Sequence, residues 1–249
     1  MKEEKLVKII GEIGIEGARY IEENIDFQFF AIKKLYKNVK DLELVIKLVL
    51  LNSIVSYQIN CTGEKWWMEF SKYFILNKNI KNVVLDYLNF LKNSRCNKRY
   101  LNIKIKRIIK ISDFIEKLDL EKIDFYYKNM VFLRDDLSSY LKSNKSSKTI
   151  CFSIKMFGYA SRIIFKKFIP YPFEVDIPLD SRIKKYTQRF IKNNFLEFWR
   201  KISYKSGVPP LHIDSILWPF LNKKLNLKCF KKLKNFNKIN LIFDLLNVK

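Results

Sequence analysis

Histidine is almost missing from this chain of 249 residues: there is one, His212. Imidazole-based metal centres and Ser-His-Asp hydrolysis are therefore nearly excluded, and any catalysis must rest on Lys, Asp, Glu or Tyr. Cysteine is sparse too. Cys61, Cys96, Cys151 and Cys229 are widely spaced, with no C-x-x-C pair. That argues against zinc and iron–sulfur clusters and against a secreted disulfide scaffold. Glycine and proline number six each, so few turns and long elements are expected. Acidic side chains are in short supply, 25 Asp and Glu against 48 Lys and Arg, for a formal net charge of +23. A balance this basic points to a polyanionic partner, nucleic acid or an anionic membrane surface. A lysine-biased genome is the competing explanation, since Lys, Asn and Ile are all abundant.

What is present is helical periodicity. Apolar residues recur at i, i+3, i+4 spacing over residues 2–23, 26–37, 41–60, 64–76 and 80–92. The pattern continues over 99–110, 112–118, 121–128, 130–141, 147–166, 181–202, 211–221 and 228–247. No segment alternates with period 2 between turn signals, and no internal repeat is visible. The proline-rich stretch IPYPFEVDIPLD, 169–180, cannot be helical, because each residue before a proline is pushed toward extended backbone. The expected class is all-α. LELVIKLVLLNSIVSYQI resembles a membrane span in length, but it carries Glu43, Lys47, Asn52 and Gln58 and reads as a buried core helix. The N-terminus, MKEEKLVKIIGEIG, is charged from its start and does not read as a signal peptide, so a cytoplasmic protein is expected.

Several side chains stand out. Lys155 sits in the apolar helix pattern KTICFSIKMFGYASR, on one face with Cys151, Phe152, Gly158 and Tyr159. An exposed lysine is neutral in only ~1 molecule in 2,500 at pH 7. Burial lowers its pKa, and a neutral amine is a good nucleophile. The plain alternative is a snorkelling side chain. Asp180 closes the proline loop and precedes an amphipathic helix, the place of an N-cap; there a carboxylate can also stabilise a cation forming above the helix end. In PPLHIDSILWPF, Asp214 and Trp218 are four apart and project side by side. They could read and stack a nucleobase, or be a first-turn aspartate and a core tryptophan. Gln58, at the expected end of an apolar helix, is either a cap or a base-reading amide. Trp66 and Trp67 point about 100° apart, so at most one faces any given pocket. Basic clusters at 104–110, 142–148, 182–189 and 223–238 could track phosphates or be solvated faces. In the second of these, Ser146 or Ser147 can cap the Lys155 helix, and with Lys145 and Lys148 makes a phosphate seat.

The order of these segments carries a resemblance. SYQINCTGEKWWMEF, then SKTICFSIKM, PFEVDIPLDSRI and PPLHIDSILWPF, resembles the archaeal 8-oxoguanine DNA glycosylases, or archaeal GO glycosylases. They are a branch of the helix-hairpin-helix DNA glycosylase superfamily. The resemblance implies two helical subdomains flanking a DNA-binding cleft, in one unit spanning 1–249, with the hairpin and catalytic helix at about 130–166. It implies that Lys155 is the Schiff-base lysine and Asp180 its carboxylate partner. Gln58, Trp66, Tyr159, Pro178, Asp214 and Trp218 match base-pocket positions. One departure is plain: the superfamily's Gly-rich hairpin is replaced by LKSNKSSK, and there is no glycine between Gly63 and Gly158.

The expected function is excision of 8-oxoguanine through a lysine Schiff base, followed by β-elimination of the strand. The expected partner is DNA containing 8-oxoguanine, acted on by a monomer with no metal, no organic cofactor and no membrane. Two readings compete with it: a non-enzymatic helical nucleic-acid-binding protein, and a peripheral membrane protein using KCFKKLKNFNKINLIFDLLNVK.

Overall fold

The computed structural model describes residues 2–221 and 236–248. Thirteen helices are present among them, and no strand. They are α1 Lys2–Asn24, α2 Phe27–Val39, α3 Leu42–Ile54, α4 Gly63–Leu76, α5 Val83–Asn93, α6 Leu101–Glu116 and α7 Leu120–Lys128. Then follow α8 Met130–Leu141, α9 Lys148–Phe165, α10 Ser181–Thr187, α11 Phe195–Ser206, α12 Pro210–Leu217 and α13 Ile239–Asn247. The chain divides into two compact units. One comprises Met1–Asp26, Ser146–Cys151 and Pro170–Lys249, the other Phe27–Lys145 and Phe152–Ile169. No helix among the described residues is long and apolar enough to cross a membrane.

In the first unit α1 is the spine, in contact with α11, α12 and α13. Its apolar stripe, Leu6, Ile9, Ile10, Ile13 and Ile21, is buried with Trp199, Ile202, Ile213, Ile216, Ile242 and Leu245. The sequence reads α1 as one helix; the structure breaks it at Gly14, whose φ of 67° only glycine adopts at little cost. The carbonyls freed there, on Glu12 and Ile13, accept hydrogen bonds from Lys238 Nζ at 2.7 and 3.0 Å.

In the second unit α3 is the buried helix, touching α2, α5, α6 and α7. Seven of its side chains from Val45 to Ile54 are apolar and fully buried, which is why its sequence looks membrane-like. Beside it lies an aromatic cluster of Trp66, Phe70, Phe74, Tyr87 and Phe90 from α4 and α5. The expected helix 41–60 ends early, at Ile54. Ser53 and Ser56 turn their hydroxyls onto the Leu50 and Asn52 carbonyls, and Gln58 adopts φ 47°. The expected pair 99–110 and 112–118 is one helix, α6, because Ser112 satisfies its hydroxyl on the Ile109 carbonyl within it. The expected helix 181–202 is two, α10 and α11, separated by a segment that ends with Asn194 in the left-handed region. The expected helix 228–247 and the cluster 223–238 lie largely outside the described residues; α13 is the described part.

The hairpin stops α8 without glycine. Lys142 takes the left-handed C′ position at φ 45°. Its N–H bonds the Ser139 carbonyl, and Ser143 N–H bonds that of Ser138, the pattern of a Schellman stop. A side chain in that backbone region costs about 1 kcal/mol relative to glycine.

Two cysteines pair, a bridge not proposed from the sequence. Cys61 and Cys96 form a disulfide 35 residues apart in sequence. Each lies in an interhelical loop, and linear spacing carries no information on which loops meet. A loop of 35 residues corresponds to roughly 3–4 kcal/mol of chain-entropy stabilisation. Cys61→Ser is therefore expected to lower the urea midpoint of unfolding, and added reductant to do the same to the unsubstituted protein. An unchanged midpoint in both would show that the bridge contributes nothing.

Charge is unevenly distributed over the helices. Among the described residues, three helices contain no Asp or Glu: α2, with Lys33, Lys34 and Lys37; α9, with Lys148, Lys155 and Arg162; and α10, with Arg182, Lys184 and Lys185. The rest carry at least one acid.

Candidate active site

Asp180 is the N-cap of α10, as its position after the proline loop predicts. Its Oδ1 accepts the backbone N–H groups of Arg182 and Ile183, both at 2.9 Å. Its Oδ2 accepts the indole Nε1–H of Trp218, also at 2.9 Å. The Arg182 guanidinium lies 4.3 Å from the centre of the Trp218 ring. Pro178 is buried, and its carbonyl accepts the Asp180 N–H at 2.7 Å. The structure thus brings Pro178, Asp180 and Trp218 together. Asp214 is on α12, one turn before its C-cap Trp218, and is 3% exposed.

The loop is tied at its other end by the single histidine. His212 Nε2 accepts the Tyr171 N–H at 3.3 Å, so its Nδ1 donates to Glu22 Oε1 at 2.9 Å. Both side chains are fully buried. Midway, Asp176 takes a two-pronged ion pair from Arg200, 2.7 and 2.9 Å, and Arg200 also donates to Ser146 Oγ at 3.4 Å. That pairing raises the Arg200 pKa above its ordinary value.

Lys155 lies on α9 and is 1% exposed. Its Nζ is 5.6 Å from the centre of the Tyr159 ring, one turn on. Tyr159 is fully buried, with Phe29 edge-on at 5.3 Å and the Arg162 guanidinium 5.8 Å from its centre. α9 is fastened to α3 by a buried hydroxyl pair, Ser53 Oγ to Ser153 Oγ at 2.8 Å. The plain snorkelling alternative for Lys155 does not hold, since its head group is not in water. Phe29 and Arg162 were not singled out from sequence, nor was Gln28. That amide is 3% exposed and precedes the ring that touches Tyr159. The one signal available was an amide inside the aromatic run DFQFF.

Gln58 is placed differently from expectation. It is exposed, in the loop after α3 and not at a helix end. That loop is braced against residues 94–99. Asn60 N–H bonds the Cys96 carbonyl at 2.7 Å, Asn97 Nδ2 bonds the Val55 carbonyl at 3.2 Å, and the disulfide joins the two. Beneath them lies a second buried lysine. Lys104 is fully buried, donates to Asn97 Oδ1, and sits 4.8 Å from the centre of the Tyr57 ring. Burial pushes its amine down to about 8.

The cluster 104–110 is only partly a solvated face: Lys104 is buried and Arg107 bonds Ser143 Oγ, while Lys106 and Lys110 are exposed, Lys110 bonding the Leu141 carbonyl. Trp66 is likewise a core residue, stacked on Phe90 at 5.2 Å with its N–H given to Ser56. Trp67 is the one that meets α9, edge-on to Phe152 at 6.1 Å, with its buried N–H unpartnered. In the hairpin, Lys145 pairs with Asp135 at 2.8 Å. Ser147 contributes its carbonyl to the first turn of α9, but its hydroxyl makes no capping bond; Lys148 opens the helix half-buried. Among the described residues no group of three or more His, Cys, Asp or Glu could hold a metal ion.

The frame has a solved counterpart. The crystal structure of 8-oxoguanosine-complexed Pa-AGOG, an 8-oxoguanine DNA glycosylase from Pyrobaculum aerophilum, matches with a TM-score of 0.81 at 22% identity. The match covers 100% of this chain and 96% of that one. At that identity the likeness defines the fold: this is the all-helical fold of that glycosylase. The N-glycosylase/DNA lyase of Methanococcus maripaludis is 49% identical over 235 residues, 93% of each chain. That of Thermococcus kodakarensis is 50% identical over 224 residues, 90% of this chain and 85% of its own. The model of the AGOG family, described as N-glycosylase/DNA lyase, matches residues 7–243, and the chain belongs to that family.

Proposed function

We propose that this protein excises 8-oxoguanine from DNA with Lys155 as nucleophile and then cuts the strand by β-elimination, acting as a monomer in the cytoplasm. The observation that carries the reading is a lysine amine withdrawn from water, at 1% exposure, in an N-glycosylase/DNA lyase family member. An amine excluded from water is more readily neutral, as attack requires.

The target carbon, C1′, is shielded within a duplex, so the nucleotide is flipped out at a cost of a few kcal/mol. The Lys155 Nζ lone pair attacks C1′ as the C1′–N9 bond breaks, and the base leaves protonated. The C1′–O4′ bond then breaks, its electron pair leaving on O4′, which takes up a proton as Nζ gives one up, and the nitrogen lone pair forms the C1′=N bond of a protonated imine. Loss of a C2′ proton then expels the 3′ phosphate. Asp180 stabilises the positive charge that develops on the sugar. Trp218 and Tyr159 contact the base faces, with Pro178 bordering them. The lesion differs from guanine by a C8 carbonyl and a proton on N7. An acceptor aimed at N7, the Gln58 carbonyl or the Asp214 carboxylate, therefore favours it by about 1–3 kcal/mol. Lys145, Ser146, Ser147 and Lys148 seat a backbone phosphate at the N-terminal end of α9.

The test is incision of an oligonucleotide panel with and without borohydride. The 8-oxoguanine strand is expected to be cut and, with borohydride, to be trapped as a covalent complex. Cutting without any trapped species would sink the imine, and binding without cutting would favour a non-enzymatic DNA-binding protein.

A further inference from the structure

A helix N-cap needs one oxygen. Asp180 uses Oδ1 alone for both cap bonds, to Arg182 and Ile183, which leaves Oδ2 unconstrained by the cap. That second oxygen is held by an indole 38 residues further along the chain. The ring that donates is itself held, by the Arg182 guanidinium over its face at 4.3 Å. A tryptophan retained only to stack on a base, or only to fill space, would need no N–H at this point, since phenylalanine offers a face as well.

We propose that Trp218 is a positioning residue for Asp180. Its indole N–H fixes the plane of the carboxylate, and the cation on its face stiffens the arrangement. The inference rests on reading Asp180 as the group that stabilises the sugar cation, and it adds to the base contact already given to Trp218. The physics is direct. A hydrogen bond to a charged acceptor is stronger and more directional than one between neutral groups, so it holds a carboxylate in one orientation. The charged groups on the elements that carry this pair are Arg182, Lys184 and Lys185 of α10 and Asp214 of α12; His212, also on α12, is paired with Glu22 of α1.

Three variants separate donation from stacking. Trp218→Phe keeps an aromatic face and loses the donor. β-(3-Benzothienyl)alanine at position 218 keeps the bicyclic shape and replaces the N–H with sulfur. Asp180→Asn removes the charge that Trp218 is said to serve. In both ring variants the single-turnover rate with saturating enzyme is expected to fall roughly tenfold, while lesion affinity in the benzothienyl protein stays within about twofold. In the Asp180→Asn background, Trp218→Phe is expected to cost no further rate, because the two groups act as one. A benzothienyl protein with full rate overturns the inference, and so does a Trp218→Phe loss that is additive with Asp180→Asn. If Asp180→Asn itself cleaves at the unsubstituted rate, the catalytic reading of Asp180 fails and takes this inference with it. A slow Asp180→Asn beside unaffected ring variants sinks the inference alone.

Discussion

Lys155→Ala is expected to eliminate the borohydride-trapped complex and to lower strand scission by at least about 10³-fold, the scale on which loss of a covalent nucleophile is felt. The side chain is enclosed on α9 beside Tyr159, so its removal also leaves a small cavity. A thermal melt must therefore accompany the kinetics. Leu and Met side chains shortened to Ala at buried sites cost 2–5 kcal/mol. Lys155→Met fills the space without an amine and separates lost chemistry from lost packing. The chain offers its own control. Among the described residues Lys104 is the other fully buried lysine, and it has a structural partner in Asn97. Lys104→Met is expected to trap as the unsubstituted protein does. Normal trapping by Lys155→Met would assign the imine to another amine and end the mechanism as written.

Asp180→Asn is expected to slow excision by about 10²–10³-fold while leaving affinity for 8-oxoguanine DNA within about threefold. Asparagine caps helices nearly as well as aspartate, so α10 should keep its start and the oxygen facing Arg182 and Ile183 can remain in place. The change falls on the other atom. An amide nitrogen would face the Trp218 N–H, donor to donor, in place of a bond at 2.9 Å. The variant thus loses the negative charge and disturbs the indole in one step. Single-turnover kinetics with a parallel binding isotherm decides the matter. A variant that binds and cleaves normally removes Asp180 from the chemistry, and one that neither binds nor melts cooperatively shows a cap and nothing more.

Much of the frame was legible because glycine and proline are scarce. With six of each, apolar periodicity ran uninterrupted and most helices began and ended near their expected places. The errors share a cause. Helix 41–60 stopped six residues early, and 181–202 was cut in two, where serine hydroxyls and left-handed Asn194 redirected the backbone. Such local polar bonds do not disturb the apolar period that a sequence displays. The Asp180 cap was legible for the same local reason, since a proline loop and an amphipathic helix adjoin in sequence. What could not be read depends on residues distant in the chain: Cys61 with Cys96, Lys104 under Tyr57, and the indole of Trp218 on Asp180. The separation of the two tryptophans, Trp66 to Phe90 and Trp67 to Phe152, likewise needed the packing of α4.

The three acid-free helices bear on a different problem, the search for one damaged base among a great many sound ones. α9 carries Lys155, Asp180 caps α10, and Phe29 on α2 abuts Tyr159. Other helices set a lysine beside a carboxylate, as in the Lys8–Glu12, Lys117–Asp113 and Lys128–Asp124 pairs. Such pairs largely cancel beyond a Debye length, about 8 Å at physiological salt. Under the proposed function, the acid-free helices join the other acid-free basic stretches of the sequence, such as residues 92–110, in a salt-dependent attraction for the DNA backbone.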